Sequence, residues 1–244
     1  MSTTRNLLLG VSLLSTFACV ARFDPAATPP SETSSKYEIA DISPSLSAQS
    51  DGAQITVYAA LFKGGAFLEL SPGDTLTGTV GSETHPLAEV KEGESIHYTA
   101  TFAQPATPAQ ATVSFARADG RRGGDSTVLV PAPFTVATAP PATVSHQGSV
   151  SLTLTGIGVD ELDTEVRGVC VKDGQSELYS PVQAGGARLD FSTIPLADSN
   201  APECDLELSL IARTLGTVDP HFAQTLDTTF EGDQRRVVKT HMTK

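Results

Sequence analysis

The stretch Cys204-Asp205-Leu206-Glu207-Leu208-Ser209-Leu210-Ile211-Ala212-Arg213 alternates along nearly its whole length. Cys204, Leu206, Leu208, Leu210 and Ala212 fall on one side of an extended backbone. Asp205, Glu207, Ser209, Ile211 and Arg213 fall on the other. Neighbouring side chains of a strand point to opposite faces, so this period of two specifies a strand with one face in a core. The pattern recurs through the chain. Gln54–Phe62 puts Ile55, Val57, Ala59 and Leu61 together. Ile96–Phe102 sets Ile96, Tyr98, Ala100 and Phe102 against His97, Thr99 and Thr101. Val113 and Phe115 oppose Thr112 and Ser114, and Val150, Leu152 and Leu154 oppose Ser151, Thr153 and Thr155. The Val and Thr content suits a pleated, half-buried surface.

Turn signals separate these runs: Gly64-Gly65, Pro72-Gly73-Asp74, Asp119-Gly120, Gly123-Gly124, Asp173-Gly174 and Gly185-Gly186. Glycine supplies positive φ and proline presets φ, so each marks a reversal. Strands this closely spaced are antiparallel neighbours, because parallel pairs need long crossovers. The reading is all-β. Pro44 and Gly52 recur as Pro140 and Gly148, 96 residues on. With the connector Ala137-Thr138-Ala139-Pro140-Pro141, this predicts two tandem antiparallel β-sandwich domains, 37–136 and 137–244, with Tyr37–Val136 able to fold alone. The plan resembles immunoglobulin-like domains, although the chain has no Trp for their Cys…Trp…Cys core.

The first residues differ from all this. Arg5 precedes Leu7, Leu8, Leu9, Val11, Leu13, Leu14 and Phe17, an apolar run too short to span a bilayer. A charged start, a short apolar stretch and small residues after it predict a signal peptide over residues 1–18. Leu13-Leu14-Ser15-Thr16-Phe17-Ala18-Cys19 resembles the lipobox of bacterial lipoproteins, with Thr16 where that family prefers Leu. The resemblance implies a cut after Ala18, lipidation of Cys19, and membrane attachment through that anchor. Val20, where an Asp would signal inner-membrane retention, points to the outer membrane. Ordinary cleavage after Ala18 or Ala21 is the alternative and gives a secreted or periplasmic soluble protein. Residues 19–36, rich in Pro, Ala, Ser and Thr, form the expected flexible tether.

Export into an oxidising compartment predicts a disulfide between Cys170 and Cys204, the only cysteines of the mature body. The net charge of −12 is spread over both halves. An acidic, dispersed surface argues against nucleic acid as a partner, since that binding needs basic patches. No G-x-S-x-G, H-E-x-x-H, P-loop or G-x-G-x-x-G occurs, and the five histidines are scattered. No catalytic residue and no cofactor is assigned. Asp160, Asp163 and Glu165 are the best calcium candidates, with a solvated acidic turn as the simpler reading. Arg121-Arg122-Gly123-Gly124-Asp125 is read as a hairpin tip. Arg235, Arg236, Lys239 and Lys244 suggest a terminal edge strand protected by charge. The expectation is a non-enzymatic, envelope-anchored binding, adhesion or structural protein with a protein or glycan partner. The alternative is a secreted enzyme, or an accessory carbohydrate-binding domain, with a site built from loops.

Overall fold

The computed structural model describes residues 32–93, 95–198, 203–225 and 228–244. The expected signal peptide, Cys19 and most of the expected tether lie outside the described residues. The chain is all-β. Its strands are β1 (Glu32–Thr33), β2 (Ser43–Ser50), β3 (Gln54–Lys63), β4 (Ala66–Glu69), β5 (Thr75–Val80), β6 (Glu83–Pro86), β7 (Ala88–Glu92), β8 (Ser95–Ala103) and β9 (Ala109–Ala116). They continue as β10 (Arg122–Val130), β11 (Thr135–Thr138), β12 (Thr143–Ser145), β13 (Ser149–Thr155), β14 (Glu161–Arg167), β15 (Gln175–Pro181), β16 (Gly186–Asp190), β17 (Cys204–Leu215) and β18 (Thr229–Thr243).

Alternation puts the expected faces inward. Ile55, Val57, Leu61, Ile96, Tyr98, Phe102, Val113 and Phe115 lie in one buried cluster. Leu152, Leu154, Leu206, Leu208, Leu210 and Ala212 lie in a second. The first is closed by the sheet β10-β9-β5-β6 and the second by β11-β13-β16. Opposite both runs one large sheet, whose main path is β1-β4-β3-β2-β18-β17-β14-β15.

That shared sheet departs from the expected layout. β18 is central, not an edge. It pairs with β17 from Met242–Cys204 to Glu231–Leu215, and on its other side lies parallel to β2 through Thr229–Gln234 and to β12 through His241–Thr243. Its first part therefore serves the first sandwich and its last part the second. Val218, Phe222 and Phe230, beyond the expected boundary at residue 136, pack into the first cluster. The physical reason is that β2 has a row of main-chain groups on the side away from β3, and a buried strand must satisfy them. Where β18 crosses β10, residue 232 is glycine. A Cβ there would stand 2.6 Å from the Leu129 carbonyl oxygen, so any side chain would push the strands apart.

The first sandwich also begins earlier than expected. Residues 32–36, assigned to the tether, dock instead. Glu32 and Thr33 pair in parallel with Leu68 and Glu69, and Ser34 is fully buried.

Candidate functional site

Two polar clusters stand out from the alternation, one at the β1 end of the large sheet and one on the face of its strands β14, β17 and β18. At the β1 end, Asp74 and Arg117 have side chains only 3% and 2% exposed, with Arg117 Nη1 3.7 Å from the carboxylate. Ser34 Oγ donates to Asp74 at 2.7 Å and accepts the Ser71 N–H at 2.9 Å. The Ala118 N–H donates to the other Asp74 oxygen at 3.0 Å, and Arg117 Nη2 donates to the Tyr37 carbonyl. Ser71 Oγ accepts the Ser35 N–H at 2.9 Å. Buried charge is tolerated only with such partners. Here the partners are the docked N-terminal residues, so the cluster is a clasp for the start of the body.

In the second cluster, the outward faces of β14, β17 and β18 bring together groups from three strands. Arg213 lies 3.0 Å from Asp233, 3.3 Å from Asp163 and 3.6 Å from Glu231. Arg235 lies 3.1 Å from Asp233 and 3.5 Å from Glu165. Burial works against the Arg213 cation, but Asp233, Glu231 and Asp163 outweigh it and hold its pKa above the ordinary value. Burial pushes the Asp163 and Glu231 carboxyls upward, more than Arg213 lowers them, with neighbouring carboxylates adding to the rise. The cluster thus carries more acid than its arginines neutralise.

This placement sets the surroundings of the calcium candidates. Asp163 and Glu165 sit two residues apart on one face of a strand and face arginines; Asp160 precedes that strand. The expected acidic turn is largely strand. Among the described residues, no group of three His, Cys, Asp or Glu side chains is placed to hold a metal ion. Cys170 and Cys204 form the expected disulfide, with their Cα atoms 5.8 Å apart. Arg121 pairs with Glu38 and Asp119 at the 117–122 turn, and Gly123 lies against Phe222. His221 and His241 each meet a nearby aspartate, Asp219 at 2.7 Å and Asp205 at 2.8 Å, at separate places in the fold.

Beside the charged cluster lies β15, the last strand of the path, which among the described residues pairs with β14 alone. Its outward side chains include Tyr179, 62% exposed, whose hydroxyl donates to Glu177 at 2.8 Å. Val237, 55% exposed, lies on the same outer face of the sheet. Aromatic and arginine side chains among exposed apolar ones are the composition of interface centres. The sequence could not flag this: the cluster joins residues up to 70 positions apart, and Tyr179 reads as one more strand residue.

No family model matches the chain, and no curated protein matches it. Solved structures give loose overlaps. The FN1–FN3 domains of chicken CNTN1 align at 10% identity over 89% of this chain and 67% of theirs, with a TM-score of 0.29. The fibronectin(III)-like modules of Clostridium thermocellum CbhA align at 16% identity over 79% and 92%, with a TM-score of 0.24. The titin domains z1z2, solved in complex with telethonin, align at 12% identity over 82% and 95%, with a TM-score of 0.23. Superpositions this loose leave the fold to be defined by its own strands and cores.

Proposed function

We propose that this chain is a non-enzymatic binding module of the bacterial envelope, anchored through lipidated Cys19 at the outer membrane and displaying the β15 end of its large sheet. The observation that carries this reading is the strand order. The clasped start of the body, β1, and the singly paired strand, β15, are opposite ends of one hydrogen-bonded path. Seven inter-strand steps separate them by about 34 Å along the sheet. A tether entering at Glu32 therefore holds the molecule by one end and leaves the other free. Tyr179 supplies that free end with apolar contact, and the half-buried Asp163 opposite it on β14 adds negative charge.

Two measurements test this. Wild-type protein should partition with envelope membranes and into detergent, and Cys19→Ala should release it, because multiple acyl chains anchor stably. A photo-crosslinking residue at position 179 should capture an envelope component, whereas one at Thr84, on the other sheet of the first sandwich, should not. Wild-type protein found free of membranes, or equal capture at both positions, overturns the proposal.

A further inference from the structure

We infer that the free edge of β15 takes a second copy of this chain, the two β15 strands running antiparallel about a two-fold axis at Leu178. The inference rests on the reading of the β15 end as the binding end, and names its occupant.

The argument starts from which main-chain groups β15 leaves open. The Val182 N–H donates to the Asp160 carbonyl at 2.8 Å. In an antiparallel pair such bonds recur at every second residue. Ser180, Leu178 and Ser176 therefore bond to β14, while the N–H groups of Gln175, Glu177 and Tyr179 point away from it. Pro181, which has no N–H, falls in the outward set, where a strand tolerates proline.

The other edges are blunted in the ways that prevent strand addition. β1 has two residues, β12 three and β6 four. β7 carries Lys91, bonded to Glu69 and Glu89. β11 is broken by a register shift at Val136/Thr138. β16 carries Arg188. β10 is met at Thr127 by Thr217 through both main-chain bonds. β15 has seven residues in unbroken register with β14, and no Lys or Arg.

Its sequence also selects the partner and the register. Centring the two-fold on Leu178 places Glu177 opposite Tyr179 of the second copy, and Gln175 opposite Pro181. Each copy then donates from Gln175, Glu177 and Tyr179 to carbonyls of the other. Moving the axis to Glu177 would set carboxylate against carboxylate, a destabilising pair. Moving it to Tyr179 would leave Gln175 without a partner. The Leu178 register keeps opposed side chains compatible and the most bonds. An isologous contact of this kind closes on itself and stops at two copies. One strand pair buries less than a standard interface, so association in the micromolar range is expected.

The test uses the full Cys19→Ala chain, which carries no acyl anchor, studied by sedimentation and light scattering from low micromolar to several hundred micromolar. A concentration-dependent dimer is expected. Glu177→Pro removes an outward N–H and leaves every bond to β14 intact; it should give monomer with unchanged melting. Tyr179→Glu sets like charges opposite each other twice per dimer and should weaken association about tenfold. Adding Glu177→Lys to Tyr179→Glu restores opposite charge across the axis and should restore the dimer. That rescue is specific to the Leu178 register. A monomer at every concentration, or a dimer indifferent to Glu177→Pro, overturns the inference. If the chain is monomeric and position 179 still captures a different envelope component, the proposed function survives and the self-pairing alone falls. If it captures nothing, both fall.

Discussion

At the scale of single residues, the buried ion pair makes the sharpest demand. Arg117 and Asp74 stand almost wholly out of water, and removing one leaves the other charged and unmatched. Arg117→Ala should therefore cost about 3–5 kcal/mol in urea unfolding. Ser34→Ala removes a donor to Asp74 and an acceptor for the Ser71 N–H, and should cost about 1–3 kcal/mol. Glu231 supplies a prediction of opposite sense. Burial raises its pKa in the folded protein, so the folded state holds that proton more tightly than the unfolded chain. This group's contribution is most favourable below its ordinary value of 4.5 and declines as pH rises through the raised value. Glu231→Gln should flatten that decline in a series of melts across the acid range. A slope identical to wild type would count against the assignment.

At the scale of elements, the disulfide and β18 teach different things. Cys170–Cys204 closes a loop of sequence separation 34, worth about 3–4 kcal/mol in the chain-entropy model. Reduction should lower the melting temperature, and Cys170→Ala/Cys204→Ala should match the reduced wild type. The bond was legible beforehand because the expected export and the cysteine count left one pairing. The faces of β3, β8, β9, β13 and β17 were legible because burial follows a period of two over most of each strand; the exceptions are Ala60 and Ile211, expected outside but buried against the opposite side. β18 was not legible as a central strand. Its middle, Asp233-Gln234-Arg235-Arg236, reads as surface, yet Asp233 and Gln234 are buried. Asp233 is held by Arg213 and Arg235, while the partners of Gln234 and Arg236 are remote in sequence. Arg236 donates to the carbonyls of Phe134 and Asp51, 102 and 185 positions away, and Gln234 to that of Ser50, 184 away. No local pattern encodes such contacts. The same holds for Ser34, which shares its Pro- and Ser-rich neighbourhood with the expected tether and is distinguished only by Asp74 and Ser71.

At the scale of the whole molecule, Arg236 is the joint. Besides its main-chain bonds, its guanidinium lies 5.3 Å from the Phe134 ring centroid and packs against Gly52. Gly52 has φ +95°, and both that conformation and the space the guanidinium occupies exclude a side chain there. Burial lowers the Arg236 pKa, with Asp51 opposing. Arg236→Ala should uncouple the sandwiches, so that one calorimetric transition becomes two. Phe230→Ala removes a fully buried ring that β18 lends to the first core and should cost about 3–5 kcal/mol. The excised fragment Tyr37–Val136 lacks Phe230, Phe222, Val218 and the strand beside β2. It should fail to show a cooperative melt, although its size alone would permit one; a sharp transition would show the borrowed strand to be dispensable.

The central place of β18 also orders events in time. Ribosomes and export channels deliver a chain from its N-terminus, and β18 follows every strand it joins. While Thr229–Thr243 is still unmade, β2 and β12 lack their parallel neighbour and the first core lacks Phe230. Contacts between segments so far apart close slowly, because the loop entropy is lost before the contact is gained. A nascent chain missing β18 should therefore remain unfolded in its first core until synthesis is nearly complete, a timing compatible with the export proposed above.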